Sequence, residues 1–177
     1  MNENPSAWVA RFLPLIRPGG VVLDLACGRG RHSRLLAGRG YRVAAVDRDA
    51  GALAAIEVAA PGIVTRVADL EAGPWPYPGC RFDGIVVANY LFRPLLPLLC
   101  SSLEDNGVLI YETFMIGNER FGKPSNPDFL LRPHELLERV QGQLTVVAFE
   151  QGAVNAPRPA VVQRLCAIRG PARALPV

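Results

Sequence analysis

Short, nearly continuous apolar segments that alternate with helical segments constrain the fold of this chain more than any other feature. Five such segments begin at Val21, Tyr41, Gly62, Phe82 and Val108. Strands that are apolar on both faces are usually buried on both faces, and parallel strands are connected through helices. The alternation therefore predicts an α/β sandwich in which helices cover both faces of a mostly parallel sheet.

The segments between and after these strands complete the expected architecture. Helices are predicted over residues 5–16, 31–39, 50–59, 94–103 and 133–140. Two further apolar segments, residues 144–154 and 160–169, have no helix between them, so we expect them to pair antiparallel. Because neither an internal repeat nor a long linker divides the chain, we predict a single domain over residues 1–177, with an N-terminal helix and cap over residues 1–20.

The composition fits one globular domain and disfavours several classes of function. Half of the 177 residues are hydrophobic, which suffices for a sizeable core. The 19 basic and 16 acidic residues give a net charge of +3 without a run of five like charges, so a nucleic acid partner is not expected. Four scattered cysteines predict neither a metal site nor a disulfide framework.

The N-terminal sequence does not have the pattern of a signal peptide. In addition, no apolar run approaches the roughly 20 residues that a membrane span requires. We therefore expect a cytoplasmic protein that is a monomer or a homodimer and has no membrane partner.

Polar or glycine residues follow each of the five predicted strands, and ligands of parallel sheets bind beyond the carboxyl ends of the strands. Gly28 and Gly30 follow the first strand and have no Cβ, which lets the backbone turn sharply and approach a ligand. Asp47 follows the second strand, where a carboxylate can accept hydrogen bonds from both hydroxyl groups of a ribose. The pattern predicts a site for a cofactor that carries a nucleoside.

Two residues near the glycines narrow the choice of cofactor. A dinucleotide-binding loop has a third glycine, but Ser33 occupies that position here. Asp24 stands just ahead of the loop, where its negative charge would weaken the binding of a pyrophosphate and favour a cationic group. An acid, two glycines and a helix that starts at Arg31 suit a zwitterionic amino acid joined to a nucleoside. A methionyl group with an ammonium and a sulfonium has these properties.

Five segments of the chain resemble the class I S-adenosylmethionine-dependent methyltransferases. VLDLACGRGRH is similar to the first motif of that family, VAAVDRD to the second and VADLEAGPWP to the third, while FDGIVVANYLF and NGVLIYETF are similar to its fourth and fifth strands. The first motif is most similar to the small tellurite-resistance-type and quinone-biosynthesis-type branches. The resemblance implies a Rossmann-like three-layer sandwich with a seven-stranded, mostly parallel sheet whose last strand is antiparallel.

The resemblance also implies a role for residues at each strand end. Gly28 and Gly30 would line the methionyl group of S-adenosylmethionine, and Asp47 would bind its ribose. Asp69 would meet the adenine amino group, although a turn-capping role for Asp69 stays open. The full cofactor-binding set is Asp24, Ala26, Gly28, Gly30, Arg31, Asp47, Arg48, Asp69, Leu70, Asn89 and Tyr90.

Methyl transfer from a sulfonium is an in-line displacement with a neutral leaving group, so the protein mainly aligns the nucleophile and excludes water. A general base is optional, and the candidate groups are Glu112, Tyr111, His134 and Tyr90. We predict Glu112 first, because it ends the fifth strand beside the expected cleft, and Tyr90 as a second catalytic residue. A pairing of Glu112 with Arg120 is the alternative.

Residues 115–131 are the most individual part of the chain. A long stretch rich in glycine, asparagine and proline is usually a lid or a binding loop. We expect it to close over the acceptor together with the N-terminal helix, through Trp8, Arg11, Phe12, Asn118, Arg120 and Phe121. Because the chain has no added substrate domain, a small-molecule acceptor is favoured, and the basic residues of the loop favour an acidic or oxygen-rich one.

Two other functions stay open. A non-catalytic S-adenosylmethionine-binding protein that regulates a partner could use the apolar residues 91–99 as a contact surface. A nicotinamide-dependent oxidoreductase would share the strand-end site, but Ser33 and Asp24 disfavour it.

Overall fold

The structure is a computed structural model and describes residues 4–171, so the two ends of the predicted 1–177 domain lie outside it. The strands are β1 (Val21–Leu25), β2 (Arg42–Asp47), β3 (Val64–Val67), β4 (Phe82–Ala88), β5 (Leu103–Phe114), β6 (Thr145–Val154) and β7 (Ala160–Ile168). The helices are α1 (Ala7–Phe12), α2 (Arg31–Gly38), α3 (Ala50–Ala59), α4 (Leu96–Ser101) and α5 (Glu135–Val140).

Within residues 4–171, seven strands form one sheet in the order β3-β2-β1-β4-β5-β7-β6. Strands β1 to β5 are parallel to one another, whereas β7 runs antiparallel to both of its neighbours, β5 and β6. The closing hairpin therefore places its second strand inside the sheet and its first strand at the edge. The predicted seven-stranded, mostly parallel sheet with an antiparallel last strand is confirmed.

Two apolar layers hold the helices against the sheet. Helices α1, α2 and α3 cover one face, where Phe12, Leu36 and Ile56 are buried against the central strands. Helices α4 and α5 cover the other face through Leu99 and Leu136. Complete burial of one such side chain contributes about 1.5–3 kcal/mol. The predicted three-layer sandwich is confirmed, and its layers leave the strand ends free to form a site.

Three helices are shorter than the hydrophobic pattern predicts, for local reasons. Helix α1 ends at Phe12 and continues as a 3₁₀ turn, because Pro14 has no amide hydrogen to donate. A 3₁₀ turn over Arg93–Leu95 likewise precedes α4. Helix α5 begins at Glu135 because His134 adopts a left-handed conformation with a φ of 61°.

Residues 104–107, which lie between the predicted helix over residues 94–103 and the predicted strand from Val108, belong to β5 and do not interrupt it. Leu103 pairs with Phe82 and Val108 pairs with Gly84, so the four residues between them bulge out of β5. Gly107 fits this bulge because a Cβ would lie 2.9 Å from the carbonyl oxygen of Phe82. Strand β5 is therefore longer than predicted.

The segment 115–131 has more internal structure than the sequence indicates. Its two ends are joined by a parallel bridge between Met115 and Leu131, and it contains two 3₁₀ turns. Asn118 is buried, donates to the carbonyl oxygen of Pro124 at 3.0 Å and accepts from the amide of Val161 at 3.2 Å. One asparagine thus ties the segment to the start of β7.

Candidate active site

A cavity of about 480 Å³ opens at the carboxyl ends of β1 to β5. Its lining residues are Ala26, Asp47, Arg48, Ala68, Asp69, Leu70, Glu71, Asn89, Tyr90, Leu91, Thr113, Phe114, Pro124 and Phe129. All of them except the last two lie at or just beyond the carboxyl end of a parallel strand. The strand-end rule therefore locates most of the site. A second cavity, of about 340 Å³, lies at the amino ends of β1, β2 and β4. Arg17 and Asp83 are among its lining residues.

Asp47 organises the glycine-rich loop. Its Oδ2 accepts a hydrogen bond from the amide of Gly28 at 2.8 Å, and its Oδ1 accepts from the amide of Asp49 at 3.0 Å. The carboxylate therefore joins the ends of β1 and β2 and also lines the cavity. The Asp47 carboxylate, a hydrogen-bond acceptor, is thus held at the strand end where the sequence predicts the ribose of the cofactor.

The two glycines of the loop have different steric surroundings. Both have a positive φ, 54° at Gly28 and 72° at Gly30. A Cβ at Gly30 would lie 2.5 Å from Cδ1 of the buried Ile56, so the loop packs against α3 at this residue. A Cβ at Gly28 would meet no atom within 4 Å. Gly30 is thus required by packing, whereas Gly28 leaves open space beside the backbone, which suits the close approach of a ligand.

Asp24 lies beneath the loop and is buried. Its Oδ2 accepts a hydrogen bond from the Ser33 hydroxyl at 2.5 Å. Burial raises the pKa of Asp24 to about 6, against the opposing effect of the Ser33 hydrogen bond. The serine that replaces the third glycine of a dinucleotide-binding loop is therefore the partner of this acid. The predicted contact of Asp24 with a cationic ligand group stays a prediction.

Arg31 and His32 contact the N-terminal segment. Arg31 donates from Nη1 to the carbonyl oxygen of Asn4 at 3.2 Å. His32 is buried, and its Nε2 accepts a hydrogen bond from the amide of Ser6, the N-cap residue of α1, at 3.0 Å. Burial, followed by the charge of Arg31, lowers the pKa of His32 to about 4, so the ring is neutral. The structure gives both residues a role in docking α1, and Arg31 does not line the cavity.

Asp69 lines the cavity and also caps a turn. Its Oδ1 accepts from the amides of Glu71 at 2.9 Å and Ala72 at 3.1 Å, and these bonds lower the pKa of the carboxyl group. Oδ1 of Asp69 therefore has the turn-capping role that the sequence left open. Because the side chain also faces the cavity, capping does not exclude a contact with an adenine amino group. Leu70 and Arg48 line the same end of the cavity, and their predicted contact with the cofactor stays a prediction.

Tyr90 lines the cavity, and its hydroxyl group is buried. Its Oη has no hydrogen-bond partner among the described residues, while its carbonyl oxygen accepts from the hydroxyl of Tyr111 at 2.8 Å. Burial raises the pKa of Tyr90, and the charges of Glu71 and Asp69 raise it further. A phenol held protonated can donate a hydrogen bond but is unsuited to act as a base. The geometry favours a binding role over the predicted catalytic one.

Glu112 is engaged away from the cavity. It shares a sheet face with Ile110, on the side that α1 covers, and Arg164 donates to its Oε2 at 2.5 Å. Glu112 and Arg164 are direct cross-strand partners in β5 and β7. The predicted alternative partner, Arg120, instead donates to the carbonyl oxygen of Gly117 at 3.2 Å. Glu112 is therefore held in an ion pair with Arg164, and this geometry does not support the predicted role of Glu112 as a base.

The other two candidate bases are also occupied. Tyr111 is buried, its hydroxyl donates to Tyr90, and burial raises its pKa. His134 has its Nε2 at 2.9 Å from the side-chain amide nitrogen of Gln151. Neither residue lines the cavity.

The N-terminal helix packs in the core and does not cover the cavity. Trp8 and Phe12 are buried with α2 and α3, and the indole of Trp8 donates to the carbonyl oxygen of Leu165 at 3.3 Å. Arg11 is exposed and lies 3.9 Å from Glu150. These three predicted substrate residues therefore belong to a different face of the molecule, because the apolar face of α1 is needed to bury the sheet.

The segment 115–131 does reach the cavity, but through other residues than predicted. Asn118 is buried as a structural tie, and Phe121 is 49% exposed beside Arg120. The lining residues from this segment are Pro124 and Phe129. Sequence reasoning also missed Thr113 and Phe114, although the strand-end rule that selected Glu112 applies to them equally; no local signal singles out Phe129.

The comparisons with known proteins agree with this geometry. Residues 22–99 match a family model described as a methyltransferase domain. The chain is 33% identical over 107 residues to a protein-L-isoaspartate O-methyltransferase of Chlorobaculum tepidum, an alignment that covers 58% of this chain and 49% of that protein. The chain thus spans about half the length of this curated relative.

Two solved structures share the fold over almost the whole chain. TehB from Haemophilus influenzae superposes with a TM-score of 0.79 at 19% identity, covering 93% of this chain and 62% of that one. A TehB-like S-adenosylmethionine-dependent methyltransferase from Corynebacterium glutamicum superposes with a TM-score of 0.66 at 18% identity, covering 92% and 86%.

The fold is therefore that of the class I S-adenosylmethionine-dependent methyltransferases, and residues 22–99 match the model of a methyltransferase domain. Within that class its architecture is of the TehB-like type. The fold prediction is confirmed. None of the helices between residues 4 and 171 has the length and hydropathy needed to cross a membrane. In the same residues, no group of three or more histidine, cysteine or acidic side chains is arranged to hold a metal ion.

Proposed function

We propose that this protein transfers a methyl group from S-adenosylmethionine to a small-molecule acceptor. The observation that carries the proposal is one continuous cavity that begins at Asp69 and Asp47 and extends past Tyr90 to the end of β5. Such a cavity can hold a nucleoside at one end and a second molecule at the other. S-adenosylmethionine, when bound, supplies a methyl group attached to a positively charged sulfur.

The residues of the charged end fit this cofactor. Asp47 presents carboxylate oxygens to a ribose, and Asp69 can accept a hydrogen bond from an adenine amino group with the oxygen that does not cap the turn. Gly28 leaves space for the methionyl group beside the backbone. Tyr90 offers a buried hydroxyl as a donor at the junction with the acceptor. These residues bind and orient the reactants, which is the main requirement of an in-line displacement.

A small acceptor is favoured by the size of the cavity. Its volume of about 480 Å³ lies in the lower half of the range of roughly 300–1,000 Å³ that holds one drug-sized ligand. Little space is therefore left for a large acceptor beside a nucleoside cofactor. The curated relative described above is named for a protein acceptor, but the chain spans about half of its length, so that name does not select the acceptor.

The regulatory alternative loses its proposed contact surface. Leu91, Leu95, Leu96 and Leu99 are buried in the core, and of the leucines in that segment Leu98 is the exposed one. The cytoplasmic location and the monomeric or homodimeric state stay predictions from the sequence.

Calorimetry with S-adenosylhomocysteine tests the cofactor site. We expect the wild-type protein to bind it and Asp47→Ala to bind it about 10- to 100-fold more weakly, because each hydrogen bond to a charged group contributes about 1.5–3 kcal/mol. Asp49→Ala is the matched control, since Asp49 caps α3 with its Oδ1 and does not line the cavity. It is expected to lower stability and leave the affinity within about threefold.

Transfer itself is tested with methyl-labelled S-adenosylmethionine and fractionated cell extract. We expect label in the small-molecule fraction. Binding of S-adenosylhomocysteine without transfer to any fraction would favour the regulatory alternative, and the absence of binding to folded protein would refute the proposed function.

A further inference from the structure

The charges of the cavity are confined to one end. The charged lining residues Asp47, Arg48, Asp69 and Glu71 follow β2 and β3, the two outer strands on one side of the sheet. The lining at the end of β5 and from the segment 115–131 is uncharged and consists of Thr113, Phe114, Pro124 and Phe129. Since β1 and β4 lie between β2 and β5, the charged and uncharged linings face each other across the width of the cavity.

The uncharged end is held in place by a buried ion pair. The guanidinium of Arg93 donates to the carbonyl oxygens of Asp128 at 2.7 Å and Leu130 at 2.8 Å, the residues on either side of Phe129. The same group binds both carboxylate oxygens of Glu135, at 2.7 and 3.0 Å, and the Glu135 side chain is completely buried. Arg93 therefore fixes the backbone of Phe129 from both sides.

The two aromatic walls differ in exposure. Phe114 is buried against Leu130 and Val162 and carries the guanidinium of Arg158 at 5.7 Å from its ring centre. Phe129 lines the same cavity but is 47% exposed. An aromatic side chain on a held backbone, with about half of its surface uncovered at the rim of a cavity, gains apolar contact when a flat ligand lies against it.

We propose that the acceptor is a small molecule with an uncharged, flat, apolar body that binds against Phe114 and Phe129; this inference rests on the proposed function. A charged acceptor would lose its hydration at this end without a charged lining residue to replace it. The basic residues Arg120 and Lys123, which favour an acidic acceptor in the sequence, do not line the cavity.

Matched pairs of benzene derivatives test the inference. The neutral probes are 4-methylphenol, 4-methylaniline and 4-methylbenzenethiol, and each is compared with its counterpart in which a carboxylate replaces the methyl group. Binding is measured by calorimetry in the presence of saturating S-adenosylhomocysteine, and methyl transfer by mass spectrometry with labelled S-adenosylmethionine. We expect at least one neutral probe to bind, at least tenfold more tightly than its carboxylate counterpart.

Two variants locate the binding. Phe129→Ala is expected to weaken binding of the neutral probe at least tenfold, whereas Ile116→Ala, a residue of the same segment with 48% exposure that does not line the cavity, leaves it unchanged. The affinity of each variant for S-adenosylhomocysteine is measured in parallel and shows that the protein is folded.

Equal or tighter binding of the carboxylates, or binding of none of the neutral probes by protein that binds S-adenosylhomocysteine, would overturn the inference and leave the proposed function intact. A loss of affinity in Ile116→Ala equal to that in Phe129→Ala would also overturn it. Failure of the folded wild-type protein to bind S-adenosylhomocysteine would refute both this inference and the proposed function.

Discussion

Replacement of Arg93 by methionine tests whether the buried ion pair stabilises the wall of the cavity. Methionine keeps an apolar stem but removes four charged hydrogen bonds, two to Glu135 and two to the backbone around Phe129. Removing one partner of a buried pair typically costs about 3–5 kcal/mol. Arg132 and Arg139 lie 3.5 Å from the Glu135 carboxylate and offset part of that loss. We therefore expect the free energy of unfolding to fall by about 3 kcal/mol, at the lower end of the range.

The assay is urea denaturation at two values of pH. The Arg93 guanidinium and the Arg132 amide overcome the effect of burial and lower the pKa of Glu135 to about 2, below its ordinary value of 4.5. A lowered carboxyl pKa stabilises the fold above pH 4.5, and this stabilisation is lost as the pH falls towards 2. The difference between the wild-type protein and Arg93→Met should therefore be smaller at pH 3 than at pH 7.

An exposed ion pair supplies the control. Arg17 forms two hydrogen bonds with Asp83, but its side chain is 69% exposed. Arg17→Met is expected to cost less than about 1 kcal/mol, as exposed pairs usually do. Equal losses in the two variants, or a loss below about 1 kcal/mol in Arg93→Met, would show that Glu135 does not depend on Arg93.

Three further predictions concern the loop and the residues beneath it. Because the pKa of Asp24 is raised to about 6, its ionised form opposes folding, and the free energy of unfolding falls as the pH rises from 3.8 through 6. In urea denaturation at pH 7, Asp24→Asn should therefore be about 2–3 kcal/mol more stable than the wild-type protein. A lower stability of Asp24→Asn at that pH would contradict this prediction. The lowered pKa of His32, about 4, means that stability is lost as the pH falls from 6.5 through 4; His32→Gln should flatten this part of the profile, and an unchanged slope would count against the buried neutral ring. Gly30→Ala should cost about 2–3 kcal/mol and Gly28→Ala about 1–2, because a Cβ at Gly30 meets Cδ1 of Ile56 at 2.5 Å and Cγ1 at 2.6 Å. Ile56→Ala deletes both atoms, so the double variant Gly30→Ala/Ile56→Ala should lose less stability than the sum of the two single losses. Equal Tm losses for Gly30→Ala and Gly28→Ala would refute the packing argument.

The architecture could be predicted because it depends on local patterns. Strand β1 ends where the apolar run ends, α3 matches its predicted bounds of Ala50–Ala59, and the antiparallel hairpin follows from the missing helix between the last two strands. The charged end of the cavity could also be predicted, since Asp47 and Asp69 each follow a parallel strand and ligands bind beyond the carboxyl ends of such strands.

The acceptor end was beyond sequence reasoning because it depends on register and on long-range contacts. Thr113 and Phe114 line the cavity and Glu112 does not, and Glu112 pairs with Arg164 only because β7 is inserted beside β5. Phe129 reaches the cavity because Arg93, 36 positions earlier in the printed sequence, holds the backbone on both sides of it. The amphipathic face of α1 predicted a helix correctly, but it did not say which surface the helix covers.

The position of β7 between β5 and β6 sets an order in which the two halves of the molecule can be completed. Strands β1 to β5, whose ends line the cavity, have all been synthesised once the chain reaches Phe114. The backbone groups on the far side of β5 pair with β7, so they find their partners only after the chain has been synthesised to Ile168. The same late strand supplies Val161, whose backbone holds Met115 and Asn118. A nascent chain can therefore complete the charged end of the cavity first, and it completes the uncharged end only after β7 has been synthesised.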